Sequence, residues 1–120
     1  MHTVCETHAF RRTAEEAGMT EDEIADLIDF LAEHPEAGDE IAGSGGCRKV
    51  RVAGRGKGKS DGYRTITFYS GEEIPVFLLT VFSKGERSNL TKGECNDLRA
   101  VTKALAAEYK ARAKTPRRQL

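Results

Sequence analysis

Two β-prone runs separated by a glycine-spaced basic loop restrict the fold of this chain more than any other feature. The runs are Cys47–Ala53 and Tyr63–Phe68, and the loop between them alternates glycine with arginine or lysine. Such runs favour strands and glycine permits the turn between them, so we predict an antiparallel hairpin. From Arg48 to Arg64 there are seven lysines or arginines and one acid, Asp61. This hairpin is therefore predicted to meet a polyanion such as RNA.

The charge of the chain is divided between its two halves. The sequence has 120 residues and a formal net charge of zero, with 38% hydrophobic and 32% charged residues, which indicates one globular domain over residues 1–120. Residues 1–46 hold twelve acids and two bases, whereas residues 47–120 hold seventeen bases and seven acids. The asymmetry indicates that the basic half carries the function, although the acids are also what the solvent-exposed faces of two helices would hold.

Cysteine and histidine usage points away from a metal protein. The three cysteines, Cys5, Cys47 and Cys95, form no CxxC pair, and the three histidines are scattered near the N-terminus. We predict reduced thiols, no metal site and no cofactor. The first residues lack a long apolar core and no segment has the length of a membrane span, so we expect a cytoplasmic protein.

The first half is predicted to form a short strand followed by two helices. Residues 2–6 form the strand, and the helices begin at Ser/Thr-type caps and end at a glycine and before a proline. An apolar stripe at helical spacing marks the second helix. The residues that mark the helix ends are Thr7, Gly18, Thr20 with Glu23, and Pro35.

A third apolar strand and a last helix follow the hairpin. Residues 74–82 are almost continuously apolar, as in a strand covered on both faces. Thr91 with Glu94 forms a capping box at the start of the helix, and residues 110–120 form a basic tail that is expected to fray. The residues predicted to pack on the sheet are Leu98, Val101, Leu105 and Tyr109. The order β-α-α-β-β-β-α predicts an α+β fold on a largely antiparallel sheet.

The segment from Ala53 to Ser60 resembles a nucleotide-binding P-loop, with alanine where the first glycine belongs. A P-loop works because it opens a helix whose N-terminus faces the phosphates. Here the β-prone run Tyr63–Phe68 follows instead. We therefore reject nucleoside triphosphate binding.

Strand alternation arranges the hairpin cations on a face. Lys49 and Arg51 share one side of the first strand, where two cations spaced by two residues can bracket a phosphate. Alternation places Arg64 beside Ile66 and Phe68, so Arg64 joins the pair only if that face is partly apolar or a bulge intervenes. An ordinary solvated edge, whose charges discourage aggregation, explains the same pattern. Periodicity and charge leave these two readings open.

Four segments in order resemble the RelE/HigB superfamily of bacterial type II toxins, most closely its HigB-like branch. The segments are Gly43–Arg51, Gly54–Lys59, Gly62–Arg64 and Leu78–Ser88. The resemblance implies a RelE-like fold and a ribosome-dependent messenger RNA endonuclease. It also implies an antitoxin partner, of helix-turn-helix type by analogy, and action on messenger RNA in the 30S decoding site.

The resemblance also implies a metal-independent reaction in which the ribose 2′-OH attacks the adjacent phosphodiester. The matching positions are Lys49, Arg51, Arg64 and Lys84. Lys49 is the candidate base, because neighbouring cations favour a neutral amine. Arg51 and Arg64 would hold the phosphate, and Lys84 would act as the acid or stabilise charge.

Further residues are expected to contact RNA. Arg55, Lys57 and Lys59 would clamp ribosomal RNA backbone, and an aromatic ring would stack a base. The full set is Arg48, Arg55, Lys57, Lys59, Tyr63, Phe82 and Arg87. Some relatives carry arginine at the position of Gly85 and tyrosine at that of Thr91, so a leaving-group acid or a stacking ring is absent here or supplied elsewhere.

Two alternative functions remain. One is a non-enzymatic inhibitor of a target such as DNA gyrase, as in the ParE branch of the same fold. The other is a catalytically inert RNA-binding relative. The cluster of Lys49, Arg51 and Arg64 favours the nuclease, because an inhibitor of gyrase has no need of a phosphate-centred triad.

Overall fold

The computed structural model describes residues 1–53, 62–83 and 89–114, with side chains described through residue 110. In these parts of the chain the elements are β1 (Val4–Glu6), α1 (His8–Ala17), α2 (Glu21–Glu33), β2 (Asp39–Glu40), β3 (Cys47–Val52), β4 (Tyr63–Phe68), β5 (Val76–Ser83) and α3 (Lys92–Lys114). The predicted α+β order is confirmed. The structure adds β2, a strand of two acidic residues that carries no β-propensity signal.

The strands form one five-stranded sheet in the order β1-β5-β4-β3-β2. β1 runs parallel to β5, and the other neighbours are antiparallel. The prediction of a largely antiparallel sheet is therefore confirmed. β5 lies between β1 and β4 and begins at Val76, two residues later than predicted.

Side-chain caps set the limits of the first two helices. The Thr7 hydroxyl accepts the Phe10 N–H of α1 at 3.1 Å, and Gly18 ends that helix with φ 80°. Thr20 and Glu23 form a reciprocal capping box at the start of α2, with hydrogen bonds of 2.8 and 3.1 Å. α2 ends at Glu33, before Pro35. Each cap satisfies a backbone group that a helix end leaves unpaired, and each was predicted.

Apolar clusters lie on both faces of the sheet. The cluster under α1 and α2 includes Phe10, Leu27, Leu31, Val50 and Leu78. The cluster under α3 includes Cys47, Ile66, Phe68, Phe77, Leu79 and Phe82, with Leu98, Leu105 and Tyr109 from the helix. β5 contributes to both clusters, as its apolar sequence predicted.

The seam of α3 differs from the prediction at one position. Val101 is 46% exposed, and the neighbouring Thr102 is 1% exposed instead. The Thr102 hydroxyl lies 3.0 Å from the Arg99 carbonyl oxygen and 3.5 Å from that of Ser44. Because a helix repeats every 3.6 residues, both position 101 and position 102 can lie on the same face as Leu98. The prediction selected Val101 because it is apolar, and this selection was wrong.

α3 also runs further than expected. It continues to Lys114, so the first part of the predicted tail 110–120 is helical, and the part after residue 114 lies outside the described residues. No helix in the described ranges has both the length and the apolar character needed to cross a bilayer.

Candidate functional site

The sheet register brings the three predicted cations onto one face. Arg51 is the direct partner of Arg64 across β3 and β4, and Lys49 is the partner of Ile66. Directly opposed residues in an antiparallel pair share a face. The β3–β4 pairing has no register shift, so Arg64 joins Lys49 and Arg51 on a face that is partly apolar. We call these three residues the cation row.

Arg64 is the most buried member of the cation row. It is 9% exposed, lies opposite Phe82 on β5, and donates from Nη1 to its neighbour's carbonyl oxygen, that of Tyr63, at 3.3 Å. Within the described residues, no carboxylate lies within 4 Å of Arg51 or Arg64, and the salt bridges found involve Arg11. Burial of a charge beside a like charge is costly unless an opposite charge compensates it. Among the described side chains, no carboxylate in salt-bridge range therefore compensates the charge of this pair.

Lys49 lies two residues from Arg51 on β3, a spacing of about 6.6 Å. Its Nζ donates to Oδ1 of Asn89 at 2.8 Å, and its partner on β2 is Asp39. Asn89 precedes α3, whose capping box between Thr91 and Glu94 is confirmed by hydrogen bonds of 2.8 and 3.1 Å. The capped helix start thus brings an amide to the end of the cation row.

Asn89 was missed in the sequence. It stands forty residues after Lys49 in the chain. No spacing rule links a strand residue to a loop residue at that separation, and no hydrophobic period includes Asn89. Only the packing of α3 on the sheet brings the two side chains together.

Two predicted RNA-contacting residues lie on the opposite face. Arg48 donates to the Gly38 carbonyl oxygen at 3.3 Å, and its cross-strand neighbour on β2 is Glu40. Tyr63 is 5% exposed, and its hydroxyl lies 3.3 Å from the buried Glu23 carboxylate. Burial raises the pKa of the Tyr63 phenol, and the Glu23 carboxylate raises it further.

Strand alternation in the sequence could already have separated Arg48 and Tyr63 from the cation row. Each directly precedes a member of the row, and successive strand residues point to opposite faces. We therefore leave both out of the proposed site. Phe82 is on the cation face, but it is 4% exposed and packed in the cluster under α3. Its ring lines the site and offers little surface on which a base can stack.

Five predicted residues lie outside the described residues: Arg55, Lys57, Lys59, Lys84 and Arg87. Described residues at the ends of the neighbouring strands are paired in the sheet: Tyr63 on β4 pairs with Val52 on β3 and with Ser83 on β5. In the described part of the chain, no group of three or more histidine, cysteine or acidic side chains is arranged to hold a metal ion.

The fold and the cation row define a small α+β protein with a cationic face beside a helix start. The family model described as the RelE toxin of the RelE/RelB toxin–antitoxin system matches residues 2–115, and the chain belongs to this family. A solved structure of an E. coli RelE toxin double mutant in the free state is similar in fold. The TM-score is 0.50 at 15% identity, over 84% of this chain and 96% of that one.

The family match confirms the RelE/HigB resemblance at the level of the RelE toxins. The solved structure confirms the RelE-like fold. The HigB-like branch stays a prediction, because neither comparison separates the branches.

Proposed function

We propose that the chain is the toxin of a type II toxin–antitoxin system and a ribosome-dependent endoribonuclease that cuts messenger RNA. The family match supports the toxin role. The observation that carries the enzymatic part is the Arg51–Arg64 pair, one member of which is buried with no described carboxylate within reach. Two guanidiniums carried on directly opposed strand positions suit the non-bridging oxygens of one phosphodiester.

The proposed reaction needs only the substrate's own nucleophile. The ribose O2′ forms a bond to phosphorus while the bond from phosphorus to O5′ breaks, which leaves a 2′,3′-cyclic phosphate and a 5′-hydroxyl. Arg51 and Arg64 stabilise the charge that develops on the phosphate oxygens. One group takes the 2′-OH proton and another supplies a proton to O5′.

Lys49 is the proposed base. Its amine keeps N–H donors in either protonation state, so the bond to Asn89 fixes the position of Nζ while leaving room for a lone pair. Lys84 remains the proposed acid or charge stabiliser. The basic residues Arg55, Lys57 and Lys59 are proposed to bind ribosomal RNA backbone, and Arg87 the messenger.

The proposed partners are the ribosomal decoding site, the messenger RNA and an antitoxin, all in the cytoplasm. The family description pairs RelE with RelB, which supports an antitoxin of the RelB type. A helix-turn-helix DNA-binding region in that antitoxin stays a prediction from the resemblance.

Substitution of the cation row tests the proposal. Lys49→Ala and Arg64→Ala should each lower the cleavage rate by about 100-fold or more, the usual effect of removing one group that stabilises transition-state charge. Arg48→Ala is the matched control, because it removes the same charge from the opposite face of the same strand. Primer extension on a messenger translated by purified bacterial components measures the cuts.

Each other result identifies a different failure. Equal losses in all three variants would show that total charge, and not the face, matters. Full cleavage activity of a folded Arg64→Ala variant would show that the proposed catalytic site is wrong. Growth arrest in cells whose messenger stays intact would favour an inhibitor of gyrase.

A further inference from the structure

One side of α3 carries a straight row of cations. At about 100° per residue, four exposed bases fall within an arc of about 40° on the helix surface. A rise of about 1.5 Å per residue makes the row about 27 Å long. We call these residues the basic stripe: Lys92, Arg99, Lys103 and Lys110.

The charge of the basic stripe is not balanced within the helix. The acids of α3 are Glu94, Asp97 and Glu108, and each lies about 120° or more around the helix from every member of the stripe. No member has an acid three or four residues away in the sequence, where helical ion pairs form. Among the described side chains, no carboxylate lies within 4 Å of any member.

Three members of the stripe occupy positions that are unfavourable for an isolated helix. Lys92 is the first residue of α3, at the positive end of the helix dipole. Arg99 and Lys103 are like charges four residues apart, and such a pair lowers helix stability. A polyanion bound along the stripe would offset both effects, so the stripe is complementary to a polyanion.

Arg99 is the member whose position the structure fixes. Its Nε donates to the Gly43 carbonyl oxygen at 3.0 Å, and its Nη2 donates to Oδ1 of Asn96 at 2.9 Å. A guanidinium has five N–H donors, so three are left for a ligand. The two bonds hold one cation of the stripe in place before any phosphate arrives.

The basic stripe begins beside the cation row. Asn89, which accepts a hydrogen bond from Lys49, stands three residues before Lys92. Cys95, in the first turn of α3, lines the same cavity as Lys49. RNA held at the cation row therefore lies next to the start of the stripe.

The stripe lacks the rings that single-stranded RNA requires. The one aromatic residue of α3 is Tyr109, which is half-buried with its ring edge-on to Phe77 at 5.5 Å. Surfaces that bind single strands combine cations with rings on which unpaired bases stack, whereas paired RNA is recognised through its backbone. Cations without exposed rings fit the backbone of paired RNA.

We propose that the basic stripe is a docking surface for the phosphate backbone of double-stranded RNA, such as the paired segments of ribosomal RNA. The inference rests on the proposed function, in which the cation row holds the single-stranded messenger. The stripe takes no part in the reaction. Its contacts depend on phosphate positions and not on base sequence.

Binding of two uncut RNAs to the full chain tests the stripe. The probes are an RNA hairpin of about 12 base pairs and an unstructured oligouridine of equal length, both methylated at every 2′-OH to prevent cleavage. Lys103→Ala should weaken hairpin binding about fivefold, whatever the sequence of the pairs, and lower the salt slope of the affinity by about 1. Oligouridine binding should stay within about twofold. Fluorescence anisotropy at several salt concentrations measures both.

Two further variants serve as controls. Lys103→Arg keeps the charge and should bind the hairpin like the wild type. Arg12→Ala removes an exposed cation from α1, beside Glu94 and Asp97 on the other flank of α3, and should leave both affinities unchanged. Unchanged hairpin binding in Lys103→Ala, an equal loss with both probes, or an equal loss in Arg12→Ala overturns the proposal.

Ribosomal cleavage separates this failure from that of the proposed function. Cuts that depend on Arg64, together with hairpin binding that does not depend on Lys103, overturn the docking surface alone. Hairpin binding that depends on Lys103, without any cleavage by the wild type, overturns the nuclease and supports the basic stripe as a binding surface.

Discussion

The proposed site at Arg51 and Arg64 is expected to lower the stability of the protein that carries it. The two side chains are direct neighbours across β3 and β4, and Arg64 is 9% exposed. Like charges in opposed positions of a sheet destabilise it, and burial of one of them adds to that cost. Natural sites keep such arrangements because the ligand supplies the missing charge.

Arg64→Leu should therefore raise the free energy of unfolding by about 1 kcal/mol while it abolishes cleavage. Leucine keeps apolar contact with the cluster under α3 and removes the repulsion from Arg51. Urea unfolding measures the change, and Arg48→Leu is the control, since Arg48 opposes Glu40 and should gain nothing. A loss of stability in Arg64→Leu larger than that in Arg48→Leu would contradict this account.

Cys47 is predicted to be inert at neutral pH. Its side chain is fully buried, and burial raises the pKa of the thiol from 9.0 to about 11. Iodoacetamide at pH 8 should modify the partly exposed Cys5 and Cys95 and spare Cys47 in the folded protein. Peptide mass spectrometry measures the sites of modification, and equal labelling of all three thiols would show that the face under α3 is open.

The same shift predicts the direction of alkaline destabilisation. The pKa of the Cys47 thiol is higher in the folded state, so its contribution to stability is complete below about pH 9 and is lost as the pH rises to about 11. The raised pKa of Tyr63 acts in the same direction above pH 10. Cys47→Ala should flatten the fall of unfolding free energy over that range and leave the part due to Tyr63.

The helices and strands were predictable where a local rule fixes them. Caps at Thr7 and Thr20 act within three residues, and the apolar run of β5 needs no distant partner to be recognised. Strand alternation likewise placed Lys49 and Arg51 on one face. These features depend on backbone chemistry and on a repeat of two or 3.6 residues.

Other features depended on contacts between distant parts of the chain. Arg64 needed the β3–β4 register, and Asn89 needed α3 to dock before it could meet Lys49. The burial of Thr102 in place of Val101 follows from the close approach of the turn at Gly45. A sequence pattern contains none of these distances, so the outline of the site was predictable and its partners were not.

The turn before β3 offers a test of that close approach. Gly45 has φ +80°, and an added Cβ would lie 2.5 Å from the Thr102 hydroxyl oxygen. Gly45→Ala should lower stability by about 2 kcal/mol or more, from backbone strain and steric overlap together. Gly18→Ala is the matched control, since Gly18 also has φ +80° but has no atom within 4 Å of the added Cβ, which limits its cost to about 1 kcal/mol. Equal losses of stability in the two variants would show that α3 does not pack closely against the turn at Gly45.

The molecule as a whole separates its charges by face and by half. The acids of residues 1–46 fall largely on α1 and α2, which cover one side of the sheet, whereas the cation row lies on the side of α3. A field of this kind turns the cationic face toward a polyanion and leaves an acidic surface on the far side. It gives the proposed encounter with ribosome and messenger a defined orientation.

The most direct test of the central claim is cleavage of a messenger whose codon in the decoding site carries one 2′-deoxy nucleotide. If the 2′-OH is the nucleophile, the wild-type protein should cut the all-ribose messenger to a 2′,3′-cyclic phosphate and a 5′-hydroxyl, and should leave the deoxy messenger intact at that position. Arg64→Ala should cut the all-ribose messenger about 100-fold or more slowly than the wild type and should leave the deoxy messenger intact. Cleavage of the deoxy messenger at the same bond would contradict the proposed reaction, whatever residues line the site.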